Sequence, residues 1–116
     1  MTVLIVEDNA GVRRLLGNAV AGLAADVWEC SDGADALAAY AAHQPDVVLM
    51  DVRMPGMDGL AATKQILRLY PSARVIMVTD YDDEALRNAA QQAGACAYVL
   101  KQNLLDLARL LGSVVE

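Results

Sequence analysis

The sequence is poor in the groups that would tie it to nucleic acid, zinc or a membrane. Nine Lys and Arg stand against fifteen Asp and Glu, a formal net charge of −6, and the basic residues are scattered rather than clustered. Gripping phosphate needs a basic patch, so any contact with DNA would belong to another domain. The acidic balance suits a basic partner or a bound cation instead. Only two cysteines occur, Cys30 and Cys96, with no CxxC spacing and no neighbouring histidine. They are expected to be two buried, reduced thiols of a cytosolic protein. The first apolar stretch is short, lacks a basic lead and runs into Glu7 and Asp8, unlike a secretory leader. The longest uncharged run, Asn88 to Leu100, falls well short of the ~20 residues a membrane span requires. No repeat, linker or low-complexity segment interrupts the chain, so residues 1–116 are expected to form one soluble, cytoplasmic domain.

What the sequence does have is alternation. Apolar residues make up 56% of the chain, enough for a packed core. Val3-Leu4-Ile5-Val6 is a continuous apolar run, as a strand buried on both faces requires. Val12, Leu15, Leu16, Ala19, Val20 and Leu23 then recur at helical spacing. Val27-Trp28 marks a second, shorter strand ending near Cys30, and Asp32-Gly33 opens a helix that closes before Pro45. Val47-Val48-Leu49-Met50 forms the third strand. A loop with Pro55, Gly56 and Gly59 follows, then a helix bearing Leu60, Thr63, Ile66 and Leu67. Val75-Ile76-Met77-Val78 is the fourth strand. The next helix, capped by Asp82 or Asp83, has little but Leu86 and alanines to bury and stops at Gly94. Ala97-Tyr98-Val99-Leu100 is the fifth strand, and Asn103 can cap the last helix. Such a pattern predicts an α/β fold, a doubly wound five-stranded parallel sheet with helices on both faces.

In these folds the functional pocket lies outside the carboxyl ends of the strands. There the sequence sets Glu7 and Asp8 after strand one, Asp51 after strand three, Thr79 at strand four and Lys101 after strand five. Each alone has an ordinary structural use, as a helix-end charge, a turn residue or a surface ammonium. Together they put three carboxylates, a hydroxyl and an ammonium on one rim. Close carboxylates raise one another's pKa, and a hard divalent cation such as Mg2+ relieves that repulsion. A carboxylate beside a cation can serve as a nucleophile toward phosphorus, while Lys101 and Thr79 could neutralise equatorial oxygens.

The stretches VLIVED, VVLMDVRMPGMDG, VIMVTD and AYVLK, in this order and spacing, resemble response-regulator receiver domains of two-component signalling over nearly the whole chain. The resemblance implies the flavodoxin-like strand order 2-1-3-4-5. It implies Asp51 as phosphoacceptor, Mg2+ held by Asp8, Asp51 and the Arg53 backbone carbonyl, and Glu7 assisting through metal-bound water. Lys101 and Thr79 would bind the phosphoryl group, and Tyr98 would change rotamer with Thr79, although an aromatic there also suits an ordinary strand. Catalysis would be confined to self-phosphorylation and slow self-dephosphorylation. Implied partners are a sensor histidine kinase and a C-terminal output domain absent from this chain. The tail KQNLLDL is similar to that of receivers preceding helix-turn-helix DNA-binding domains.

Two positions depart from the family pattern. Asp80 stands where a small residue is usual and is expected to hinder phosphodonor or attacking water. Gln102 replaces a common proline, removing an expected cis bond. The weakly anchored fourth helix is expected to be the mobile reporter. In the last helix Leu104, Leu107, Ala108, Leu110, Leu111, Val114 and Val115 span an arc of about 160°, which fits either deep burial or a homodimer or domain interface. His43 is read as a surface residue. Three rival readings fit the residues less well. A pseudo-receiver has only Asp80 in its favour. A haloacid-dehalogenase-like phosphatase would want an Asp where Arg53 stands. An FMN binder would want a phosphate loop where Glu7-Asp8 would repel the ligand.

Overall fold

The computed structural model describes residues 1–54 and 56–115, except for the side chains of Val114 and Val115. The strands are β1 (Thr2–Val6), β2 (Asp26–Cys30), β3 (Val47–Met50), β4 (Val75–Thr79) and β5 (Ala97–Leu100). The helices are α1 (Ala10–Val20), α2 (Ala36–His43), α3 (Gly59–Leu69), α4 (Glu84–Ala93) and α5 (Leu104–Val115). All strand pairs are parallel, in the order β2-β1-β3-β4-β5. Fold class and strand order therefore match the expectation.

Period-two alternation splits the apolar strand residues between two cores. Leu4, Val6, Val48, Met50 and Met77 pack with Ala36, Tyr40, Ala62 and Ile66 under α2, α3 and α4. Val3, Ile5, Val47, Leu49, Ile76 and Val78 pack with Leu16, Val20, Leu107 and Leu111 under α1 and α5. Each fully buried Leu, Ile or Val stabilises the fold by about 1.5–3 kcal/mol relative to exposure. Central strands covered on both faces must therefore be apolar throughout, which is why β1, β3 and β4 read so clearly.

Side-chain caps set most helix starts. Asn9 accepts a hydrogen bond from the Val12 N–H, Asp58 from Ala61 and Asp83, rather than Asp82, from Leu86. Helix α4 ends at Gly94, whose φ of 101° is the left-handed conformation glycine adopts without a Cβ penalty.

Several local expectations need correction. Helix α2 begins at Ala36, not at Asp32-Gly33. Asp32 Oδ1 accepts the Asp35 N–H and ties the preceding residues into a turn. Strand β2 is no shorter than β1; both have five residues. The thiols are free, but Cys96 is exposed and Cys30 only half-buried. Cys30 ends an edge strand and Cys96 lies in the α4–β5 loop, so neither is covered on all sides. Burial still pushes the Cys30 thiol up to about 11. Among the described residues every peptide bond is trans, Gln102 included.

In α5, Leu107 and Leu111 are core, Leu104, Ala108 and Leu110 are half-buried, and Leu105 is 85% exposed. The Val114 and Val115 part of the expected arc lies outside the described side chains. His43, half-buried at the end of α2, stacks on Trp28 with ring centroids 3.8 Å apart, well away from the rim.

Candidate functional site

The ladder continues past the strand ends and fixes the rim. Glu7 N–H donates to the Cys30 carbonyl (3.1 Å), Asp51 N–H to Val6 (3.0 Å) and Lys101 N–H to Thr79 (2.8 Å). A residue just beyond each strand therefore has its backbone held while its side chain leaves the core layer. Gly59, at the start of α3, packs directly on the Asp51 carbonyl, where a Cβ would overlap the oxygen.

Glu7, Asp8 and Asp51 each present a carboxylate oxygen, and these oxygens all lie within 4.8 Å of one another. Lys101 enters from β5, with Nζ 3.1 Å from Glu7 Oε2, 3.4 Å from Asp51 Oδ2 and 3.9 Å from Asp80 Oδ2. Its hydrogen bond goes to Glu7 Oε1 at 3.3 Å. The contact with Oε2 lies off the hydrogen-bonding direction, so that buried oxygen accepts none. Glu7 is only 1% exposed. Burial first, and the neighbouring Asp51 carboxylate second, raise its pKa from 4.5 to about 7, with Lys101 partly offsetting them. For Lys101, desolvation is the largest influence and lowers the pKa, but the surrounding carboxylates outweigh it and the net shift is upward.

These groups open onto a cleft of about 220 Å³, which Asn9, Arg53, Asp80 and Tyr81 also line. Thr79 is buried at the end of β4, and its Oγ1 accepts the Tyr81 N–H at 3.3 Å. The same hydroxyl also hydrogen-bonds the Tyr98 side chain. Tyr98 sits outside the cleft on β5, and its hydroxyl donates to the Tyr81 carbonyl at 2.6 Å. Arg53 does not point its guanidinium at the carboxylates; it lies over the Tyr81 ring, 4.6 Å from the centroid.

The structure thus gathers Glu7, Asp8, Asp51 and Lys101, lines the same cleft with Arg53, and places Thr79 at the end of β4 with Tyr98 bonded to it. Sequence reasoning missed Tyr81, which bridges Thr79, Tyr98 and Arg53, and Arg13, whose Nη1 donates to the carbonyls of Glu7 and Asp8. Neither carries a local signal, because both act through contacts made only in the folded chain.

The family model of the response regulator receiver domain matches residues 3–114. The chain belongs to that family. This receiver domain is 41% identical over 104 residues to the DNA-binding transcriptional regulator NtrC of Escherichia coli, covering 90% of this chain and 22% of NtrC. It is 39% identical over 103 residues to the response regulator GacA of Pseudomonas aeruginosa, covering 85% of this chain and 47% of GacA. The receiver domain therefore spans about a fifth to a half of the length of these relatives. Among solved structures, a CheX-CheY-BeF3-Mg2+ complex from Borrelia burgdorferi superposes with a TM-score of 0.88 at 27% identity, covering all of this chain and 90% of that one. No helix of the described receiver domain is long and apolar enough to cross a membrane.

Proposed function

We propose that this receiver accepts a phosphoryl group on Asp51 from a sensor histidine kinase, with Mg2+ at the carboxylate cluster, and thereby controls an attached output domain. The observation that carries the reading is the buried, unsatisfied Glu7 Oε2 within a cluster of three carboxylates that a single ammonium cannot neutralise. That donor set is all oxygen, as Mg2+ prefers. Asp8, Asp51 and the Arg53 carbonyl would hold the ion directly and Glu7 through water. The related Borrelia complex contains Mg2+ and BeF3, which supports a cation in a receiver of this fold. When bound, the ion supplies positive charge for the oxygens of the transferred group.

The residues of the chain do the rest. An Asp51 oxygen attacks phosphorus in line, and the bond from phosphorus to the donor breaks with its electron pair leaving on the donor. Lys101, already 3.4 Å from Asp51, pairs with the phosphoryl charge. Thr79 turns its hydroxyl from Tyr98 to a phosphoryl oxygen, which draws on the Tyr81 backbone and on Tyr98. That chain of contacts carries the switch from the cleft to the α4–β5 surface, where two conformations can be biased. Turnover is limited to self-phosphorylation and slow hydrolysis. The relative NtrC, a DNA-binding transcriptional regulator, supports a transcriptional output; cytoplasmic action and phosphorylation-dependent pairing of two copies go with that reading.

The test is intact mass after incubation with Mg2+ and a small acyl phosphate. A metal-dependent gain of one phosphoryl group, absent in Asp51→Asn, is expected. A folded chain that binds Mg2+ but gains no mass would make it a pseudo-receiver.

A further inference from the structure

Strand β1 ends at Val6, yet the peptides that follow carry two of the three clustered carboxylates. The Glu7 and Asp8 carbonyls lie past the end of the β1 ladder, where no strand residue serves them. Both accept from one side chain instead. Arg13 Nη1 is 2.7 Å from the Glu7 oxygen and 3.1 Å from the Asp8 oxygen. Arg13 Nε lies 3.3 Å from Glu29 Oε1, across on β2. The base of the Arg13 side chain is equally fixed, since its N–H closes the first turn of α1 on the Asn9 carbonyl at 2.9 Å.

A partly exposed Arg–Glu pair alone would contribute little. The two carbonyl bonds make the difference, because they clamp consecutive peptides whose side chains are Glu7 and Asp8. Asp8 depends on that clamp most. It is exposed, and among the described residues nothing donates a hydrogen bond to its carboxylate. Its position is set by its backbone alone. Outer groups that orient ligating carboxylates commonly change metal affinity by about 10- to 100-fold.

We propose that Arg13, anchored by Glu29 and bonded to the Glu7 and Asp8 carbonyls, is the positioning residue that presents both carboxylates to the cation. This rests on the reading of the cluster as a Mg2+ site. Coulomb's law alone predicts the reverse of the expected effect, since deleting a cation beside an acidic cluster should tighten Mg2+ binding. A positioning role predicts weakening, so the sign decides.

The experiment is calorimetric Mg2+ titration of the unphosphorylated chain, with thermal midpoints in chelator as a check on folding. Arg13→Ala is expected to weaken Mg2+ binding about tenfold. Arg13→Lys, which keeps the charge but lacks the planar fork, should recover only part of the loss. Glu29→Gln keeps Arg13 in place to donate but loosens its anchor. It should weaken binding about two- to threefold in the wild type and have no effect in the Arg13→Ala background, a coupling that long-range charge effects do not produce. Unchanged or tighter binding in folded Arg13→Ala overturns the assignment. If that variant does not fold, an additive Glu29→Gln effect in the Arg13→Lys background, as large as in the wild type, overturns it. A wild-type chain that binds no Mg2+ overturns both this assignment and the cation-site reading.

Discussion

Metal-free receiver should lose stability as pH rises from about 4.5 to above 7, and Glu7 should account for the loss. A group whose pKa is higher in the fold than in the unfolded chain binds its proton more tightly when folded. Its contribution is therefore complete below the unfolded pKa and disappears as pH passes the folded one. Glu7 moves from 4.5 to about 7, chiefly through burial and then through Asp51. At about 1.4 kcal/mol per pH unit that difference is about 3 kcal/mol. For a chain of this size it is roughly 15 °C in Tm. Lys101 also has a raised pKa, but its window lies above 10.5 and does not overlap.

The assay is urea unfolding at half-unit pH steps between 4.5 and 8 in the presence of chelator, repeated for Glu7→Gln. Wild type should show the decline, whereas the neutral isostere should be flat across the same interval and more stable than wild type near pH 8. Mg2+ should restore wild-type stability at high pH, because its charge replaces that of the proton. At pH 7 its binding should release roughly half a proton, readable as a buffer-dependent calorimetric enthalpy. A flat metal-free profile for wild type, or an undiminished slope in Glu7→Gln, would refute the assignment of the strain to Glu7.

Four further outcomes follow from the structure. Arg87, hydrogen-bonded to Asp82, covers the Tyr98 ring at 4.6 Å; Arg87→Ala should release about 0.5–1 kcal/mol of that restraint, visible as a two- to fivefold rise in alternative Tyr98 rotamers by aromatic NMR. An unchanged rotamer distribution would sink the idea. Gly59→Ala would drive a methyl into the Asp51 carbonyl; a loss of about 1–3 kcal/mol by urea unfolding is expected, with slower phosphorylation of Asp51 by intact mass. Helix α4 buries only Ala90 and Ala93, against four residues in α3, so its amides should exchange with deuterium faster than those of α3. Asp80→Ala should speed phosphorylation and dephosphorylation, since the Asp80 carboxylate stands at the cleft wall 3.9 Å from Lys101; equal rates in both would show that Asp80 does not obstruct the cleft.

The fold was legible because β1, β3 and β4 lie inside the sheet. Burial on two faces leaves no room for polar residues, so each strand is an unbroken apolar run, and the first polar residue after it marks the rim. Glu7 and Asp51 could be placed on one edge for that reason alone, and Lys101 by the short apolar run of edge strand β5. Where a single face is covered the rule weakens. Edge strand β2 has no fully buried residue and exposes Trp28, and its length was misjudged. The Asp32-Gly33 start expected for α2 is too early, because Asp32 accepts the Asp35 N–H in a turn and the helix begins at Ala36. A cysteine next to a strand looks buried in sequence, but Cys96 precedes β5 and remains outside the core.

What could not be read is the set of contacts that make the rim a device rather than a collection of charges. Arg13 reaches Glu29 because β1 and β2 pair in a register that puts Ile5 beside Glu29. Neither residue signals that register. Tyr98 meets the Tyr81 carbonyl across 17 positions of chain, only because β4 and β5 are neighbours and Met77 is paired with Tyr98. Strand-end chemistry depends on periodicity, which is local, whereas its positioning depends on register, which is not. Substitutions at Arg13, Tyr81 and Arg87 should therefore tune cation affinity and switching while Glu7, Asp8, Asp51, Thr79 and Lys101 stay fixed. Receivers with the same five rim residues can differ in response on that account, and the differences should be sought one contact outward from the carboxylates.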